Sequence, residues 1–408
     1  KFIKKTESKF GSSDELLIEL ISAYLLQDNF KFAEKTAIKL VNKFPTNKLG
    51  YHELSKVYMH NSNYDKAIET YNQLLEIYPN EARAIIALYK IYINKKDLKK
   101  QETYLSKIIN SSTINIEIKK ELFYELLMKQ NLHEGLDLNP IIKNALEIYP
   151  KDPLFNLIMG DLLSKEQNYI QAIIHYNDAL KTVFVKDQYI YNKLMEIHFV
   201  LGDFVSVIST ADLALEKHPL EPGFYYFKAL ALINQTEYND AIEVLLKGEQ
   251  YVFDNMIFKS EFFALIGDSY HNLNNHTESD KAYDEALKYN TNNTFVLNNY
   301  SYYLSLRGAN LQKAKEMIEV CNELTKNEPK ASFLDTYAWV LYKLEEYDLA
   351  KVQIEKAIAL DSGSATLWEH YGDILYHLGM VQGAVDKWKK ALVLNNSLLL
   401  KEKIQQNE

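Results

Sequence analysis

Ten histidines and a single cysteine are the side chains from which a metal centre or a nucleophilic site would have to be assembled in this 408-residue chain. A zinc site needs Cys or His ligands at short, fixed spacings. Here His52 and His60 stand isolated, and His370 and His377 lie seven apart with no further ligand beside them. Cys321, being alone, excludes an internal disulfide and any cysteine-cluster metal site. Ser, His and Asp are plentiful, but no nucleophile-elbow motif presents a serine on a strained turn. Gly160-Asp161 and Gly267-Asp268 carry no phosphate-loop pattern, and their glycines fall where two helices would pack. No catalytic residue, cofactor or metal is therefore expected, and the chemistry left to the chain is recognition.

Composition narrows what is recognised. A net charge of −9 and the lack of any basic run flanked by stacking aromatics argue against a nucleic-acid partner, whose phosphates Lys and Arg would have to neutralise. The apolar stretches are short and interrupted, so no transmembrane span is expected. Hydrophobic content of 47% excludes intrinsic disorder, and only 13 Gly and 8 Pro leave too few tight turns for an all-β sandwich. Thirty Tyr against three Trp suit packed rings with a hydroxyl at a wet edge. The first residue is Lys1, so a leader, lipid anchor or upstream segment is expected to precede it. One cysteine suits cytoplasm and periplasm equally.

The elements that must position any recognition site show themselves as a repeat. Tyr24, Tyr58 and Tyr92 are each 34 residues apart, and Ala33 and Ala67, Leu40 and Leu74, and Pro45 and Pro79 keep the interval. Tyr337 and Tyr371, Ala350 and Ala384, and Ala357 and Ala391 keep it at the other end. Small residues recur at position 8 of a first helix (Gly160, Ala229, Gly267, Ala338, Gly372) and at position 20, in a second (Ala33, Ala67, Ala172, Ala241, Ala350, Ala384), where they let antiparallel helices approach closely. Pro45, Pro79, Pro150, Pro219 and Pro329 end units, since proline cannot continue a helix. Units are expected to begin near 14, 48, 82, 119, 153, 188, 222, 260, 294, 331 and 365, the ninth with one extra residue around Gly308.

This 34-residue helix–turn–helix period resembles that of the tetratricopeptide repeat, TPR. The resemblance implies an all-α fold, a TPR α-solenoid: a right-handed superhelix of about eleven repeats. Residues 1–93 form regular N-terminal units. An irregular seam of degenerate units is expected over 94–150, where Gln101 replaces the small residue of position 20. A C-terminal array occupies 151–396 and a capping helix 397–408.

In such arrays, positions 2, 5, 9, 12 and 13 of each first helix face a concave groove. That places Glu261, Asp268 and His271 there, followed by the candidate partner-binding residues Asn298, Tyr302, Asp335, Trp339, Tyr342, Lys343, Glu369, Asp373, Tyr376 and His377. Carboxylates beside aromatic rings favour an extended segment bearing Lys or Arg. The basic clamp with which some TPR proteins hold acidic chaperone tails is absent, because its places hold Asn298, Tyr302, Asp335, Trp339, Glu369 and Asp373.

A narrower likeness lies in segments 297–305 (Leu-Asn-Asn-Tyr-Ser-Tyr-Tyr-Leu-Ser), 334–339 (Leu-Asp-Thr-Tyr-Ala-Trp) and 369–375 (Glu-His-Tyr-Gly-Asp-Ile-Leu). These are similar to exported TPR proteins common in Bacteroidota. That resemblance implies a non-enzymatic scaffold on the periplasmic side of the cell envelope, with a protein or peptide partner such as an outer-membrane complex, and a lipid anchor upstream making it a lipoprotein. The alternative is a cytoplasmic regulatory TPR protein that binds peptide segments of soluble partners.

Overall fold

The computed structural model describes residues 13–128, 135–182 and 187–407. Among them there is no strand, and the helices run in consecutive antiparallel pairs. The pairs are α1 (Asp14–Leu25) with α2 (Phe30–Lys43), α3 (Lys48–His60) with α4 (Tyr64–Ile77), α5 (Ala82–Asn94) with α6 (Leu98–Asn110), α7 (Ile116–Met128) with α8 (Asn139–Ile148), and α9 (Pro153–Lys165) with α10 (Tyr169–Leu180). They continue as α11 (Asp187–Val200) with α12 (Phe204–Lys217), α13 (Pro222–Asn234) with α14 (Tyr238–Gly248), and α15 (Met256–Asn272) with α16 (His276–Tyr289). The last are α17 (Thr294–Arg307) with α18 (Leu311–Leu324), α19 (Ala331–Lys343) with α20 (Tyr347–Leu360), and α21 (Ala365–His377) with α22 (Val381–Leu394), followed by α23 (Leu398–Gln405). The expected unit starts thus fall on or within four residues of a first helix.

Local chemistry explains where the helices start and turn. Asn and Asp supply many of the N-caps: the side chains of Asn47, Asn63, Asp97, Asp203, Asn275 and Asn293 each accept from a backbone N–H of the first turn. Within pairs, the chain reverses through a left-handed residue, glycine at Gly202, Gly308 and Gly379 but Ser62, Thr236 and Glu345 elsewhere. Between units, position 4 of a first helix ties down the preceding loop. Tyr51 donates to the Pro45 carbonyl, Asn156 to that of Pro150, Tyr225 to that of Pro219 and Trp368 to that of Ser362.

The small residues sit where the period places them. Ala33, Ala67, Ala172, Ala241, Ala350 and Ala384 are fully buried, as is Cys321 in its late-shifted slot. Gln101 fills the same slot in α6 without breaking the pair, because its amide is buried and donates to the Tyr92 carbonyl at 3.2 Å. Ser279 likewise donates to the Gly267 carbonyl. The fourth pair is held by buried Lys119, which donates to the carbonyls of Ile109 and Ser111 and to the Tyr149 hydroxyl. Its longer connection includes residues outside those described.

The chain divides into two compact units, residues 1–190 and 191–408. In the first, one continuous core runs from Leu17 to Met159. In the second, successive clusters centre on Phe262, Tyr300, Ile354 and Trp388. Each cluster lies between neighbouring helix pairs, as expected when every repeat contacts mainly its neighbours.

Gly267 shows how tight the pairing is. A Cβ there would lie 2.8 to 3.0 Å from the Tyr283 ring, which is itself stacked on Tyr300 at 5.1 Å. Gly267→Ala is expected to destabilise the second unit by about 1–3 kcal/mol through overpacking. Urea unfolding followed by circular dichroism measures the loss, and an unchanged midpoint would mean that the ring yields freely. The turns act in the opposite direction. Glu345 sits at φ 65°, a conformation that costs a non-glycine residue roughly 1–2 kcal/mol. Glu345→Gly should therefore raise stability by about 0.5–1 kcal/mol after glycine's own entropy cost, seen as a higher urea midpoint.

Candidate binding surface on the first helices

Counting first-helix positions from residues 153, 260, 294, 331, 365 and 398 exposes two recurrent polar contacts. The first joins the helices of one pair. Where position 8 is glycine and position 9 aspartate, an aromatic residue fifteen later lies over the glycine and donates to the carboxylate. Tyr176 donates to Asp161 at 2.6 Å, Tyr283 to Asp268, and the Trp388 indole to Asp373 at 2.9 Å. The glycine gives the ring room, since a Cβ on Gly372 would stand 2.4 Å from the Trp388 ring.

The second contact joins one first helix to the next. A polar residue at position 6 reaches back to an acid at position 5 or 9 of the preceding first helix. Asn299 donates to Asp268 at 3.4 Å, and His370 Nδ1 lies 2.7 Å from Asp335. Lys403, on α23, donates to Glu369 at 3.0 Å and to both oxygens of Asp373 at 2.8 and 2.9 Å. The step from α17 to α19 lacks this rung. Position 6 there is Thr336, whose short hydroxyl donates to Ser332 of its own helix. Asn298 keeps one contact, donating to the Asn299 amide oxygen, but its own Oδ1 is buried without a partner.

Trp339 occupies the position that Asp268 holds two units earlier, Tyr302 in the preceding unit and Asp373 in the following one. The residue fifteen further on is Ile354, which offers no polar atom, and the Trp339 Nε1 is buried with no partner among the described residues. Its indole stacks between Tyr342 (4.7 Å, 15°) and His370 (4.0 Å, 19°), with the Lys343 ammonium 5.1 Å from the ring centre. His377 extends the group, its Nδ1 3.2 Å from the Tyr342 hydroxyl and its ring stacked on Tyr347 at 5.1 Å. Burial, with Asp373 nearby, pushes the Tyr342 hydroxyl up to about 12, so it stays a neutral donor.

Of the residues expected in the groove, Asp335, Trp339, Tyr342, Lys343 and His377 come together in this cluster. Asn298 and Tyr302 lie on the adjoining helix, where Tyr302 packs beside Tyr303 at 6.0 Å. Glu369 and Asp373 face α23 instead, and Tyr376 lies near Trp388 at 5.8 Å. The expectation of carboxylates free to take a partner's cation does not hold. Asp335, Glu369 and Asp373 are each paired within the chain. The reading along first helices missed His370 and Lys403, whose signal is an acid 34 or 35 residues upstream.

Asp268 carries a testable electrostatic consequence. Burial pushes its carboxyl above the ordinary range, while donors from Tyr283, Asn299 and Tyr303 pull it down less strongly. A raised folded-state value means that the native protein binds the proton more tightly than the unfolded chain. Stability is then lost as pH rises from near 4 through the folded value. Relative to Asp268→Asn, the wild type should weaken as pH rises above about 4, read as diverging urea midpoints. Parallel midpoints would remove the burial cost.

Comparison with known proteins agrees with this geometry. Residues 49–81, 260–293 and 338–397 each match a family model described as tetratricopeptide repeat. A curated TPR repeat-containing protein of Methanocaldococcus jannaschii is 27% identical over 275 residues, covering 62% of this chain and 46% of that protein. The chain thus spans about half the length of that relative. Among solved structures, a tetratricopeptide repeat protein from Parabacteroides merdae aligns with a TM-score of 0.48 at 15% identity, covering 62% of this chain and 97% of that one. Yeast Tom70 aligns at 0.43 and 14%, covering 98% and 94%. With its eleven helix pairs among the described residues and repeat matches in both units, the chain has the fold of a tetratricopeptide-repeat α-solenoid.

Proposed function

We propose that this protein is a non-enzymatic interaction scaffold that holds an extended segment of a partner protein against α17, α19 and α21. The missing rung carries the reading. A buried amide oxygen on Asn298 and a buried indole N–H on Trp339 are left without partners on adjacent first helices, and unsatisfied buried polar groups are costly. If binding turns these two side chains outward, the backbone N–H and carbonyl of an extended peptide match this acceptor and donor. The stacked rings of Trp339, Tyr342 and His370 beside them form a rigid aromatic shelf, a type of surface enriched in binding hot spots.

Because the neighbouring carboxylates are paired internally, the partner is selected by backbone hydrogen bonding and by apolar or planar side chains, not by net charge. The finer role we propose is that of an adaptor subunit of a bacterial cell-envelope complex, on the periplasmic side and lipid-anchored upstream. Support comes from the likeness of segments 297–305, 334–339 and 369–375 to exported TPR proteins. Fractionation of cells expressing the gene from its own start codon checks the location, and a product confined to the cytoplasm would favour the regulatory alternative.

The binding site is tested after cross-linking in cells and mass spectrometry have identified the partner. Trp339→Ala is expected to weaken affinity by about 2 kcal/mol or more, as loss of a buried aromatic anchor does. Lys356→Ala, an exposed change on the second helix α20, should leave it nearly unchanged. Unaltered binding by folded Trp339→Ala protein would place the site elsewhere.

A further inference from the structure

The first helices α13, α15, α17, α19 and α21 carry five acids: Glu261 and Asp268 on α15, Asp335 on α19, and Glu369 and Asp373 on α21. Four are matched within the chain, Asp268 by Tyr283, Asp335 by His370, and Glu369 and Asp373 by Lys403. Glu261 is the exception. Among the described residues its side chain makes no hydrogen bond and no ion pair, although it is half-buried. Burial holds its carboxyl above the ordinary range, so its charge is disfavoured by desolvation that no cation offsets.

Its surroundings are apolar and aromatic. Phe258 precedes it by three residues and Ile257 by four, spacings that put the three side chains on one stripe of α15. Tyr226 of α13 packs against that stripe, 5.1 Å from the Phe258 ring and 5.5 Å from Phe262. Burial first, and then the Glu261 carboxylate, push the Tyr226 hydroxyl up to about 12. The hydroxyl therefore stays neutral, with the carboxylate near enough to act on it. The stripe also departs from the repeat. α15 starts at Met256, ahead of the unit start at 260, and the extra turn leaves Ile257 62% exposed. The lysines of these two helices offer no match: Lys228 is committed to Asp212 at 2.6 Å and Lys259 to Glu249 at 3.0 Å.

We infer that Glu261, Tyr226 and Ile257 seat one basic side chain, Lys or Arg, of a bound partner segment. Charge complementarity names the occupant: an apolar group would bury the carboxylate further without a mate, and an acidic one would be repelled. The aliphatic stem of a Lys or Arg lies on Ile257. Its cationic head takes a charge-assisted hydrogen bond from Glu261 and stands by the Tyr226 ring, whose face attracts cations. This rests on the reading of the chain as a protein-binding scaffold, and it adds a place on α13 and α15 where a single charge of the partner is read.

The probes are N-acetyl-arginine methylamide, N-acetyl-lysine methylamide, and N-acetyl-citrulline methylamide as the neutral isostere of the first. Each is titrated into the intact chain carrying 13C-labelled isoleucine methyl groups. The Ile257 signal, assigned by its loss in Ile257→Val, reports binding. Both cations should give a weak, saturable shift that fades as salt rises, and citrulline should bind about tenfold more weakly or worse. Glu261→Gln should lose about tenfold or more for the cations and leave citrulline unchanged. Tyr226→Leu, if its helicity matches wild type, should lose about threefold for the cations. Trp339→Ala should bind all three probes as wild type does, so this reading and the one at α19 can fail separately. Citrulline binding equal to arginine, full cation affinity in Glu261→Gln, or no saturable shift with either cation overturns the proposal. A concentration-dependent dimer that Glu261→Gln abolishes in light scattering would also overturn it, because the basic side chain would then come from a second copy.

Discussion

Two helices can pack along their length only if something small stands where they come nearest, and in this chain that requirement is met again and again. A methyl group, or nothing, sits at position 8, 20 or 27 of a unit, and a ring or a branched side chain covers it from the facing helix. Gly248 shows the tolerance: a Cβ there would lie 2.5 Å from Tyr225 and 2.7 Å from Phe262, a residue of the next pair. The same close approach that closes one hairpin therefore seats its neighbour. A single pair cannot cover its own apolar faces, so each pair depends on the next.

Close backbones also dictate the polar chemistry of the first-helix face. A ring lying flat on Gly160, Gly267 or Gly372 brings its donor to the aspartate one residue on. Such bonds fix the Asp268 and Asp373 rotamers, and these carboxylates then meet Asn299 and Lys403, the position-6 side chains of the following helices. His370 instead reaches Asp335 at position 5, so position 6 is kept while the acceptor shifts by one helical turn. Polar networks of this kind hold neighbouring pairs in register only while every member is satisfied. The interruption at Asn298, Thr336 and Trp339 breaks a rule that the flanking units keep, and real proteins tend to break such rules at functional positions.

Much of this was legible in the amino-acid order. The 34-residue spacing of Tyr24, Tyr58 and Tyr92, with Ala33 and Ala67, marks helix pairs because small and large residues must alternate at fixed places for helices to nest. The extra residue near Gly308 was visible because Ala314 and Cys321 fall one place late, and both are buried. Gln101 was harder to read: a large amide in an alanine slot looks like a fault until the Tyr92 carbonyl is seen to receive it. The site was half legible. Helical phase puts Asp335, Trp339 and Glu369 on one face, but it says nothing about which residue of the next unit arrives beside them. Charges taken as free were in fact paired with His370 and Lys403, because a pairing partner one repeat away lies outside any pattern confined to one helix.

The same reasoning locates where an array like this has affinity to offer. Interior units bury most of their large apolar side chains against their neighbours, so a partner there gains little that the chain does not already supply. One place differs most. At the α17–α19 step a donor and an acceptor are buried without mates among the described residues, beside a stack of rings. Solenoid coupling runs mainly between neighbours, so a partner bound there is expected to perturb the adjacent pairs most and the distant ones least. Recognition can then be strong locally without remodelling the array, which suits the proposed role as a scaffold.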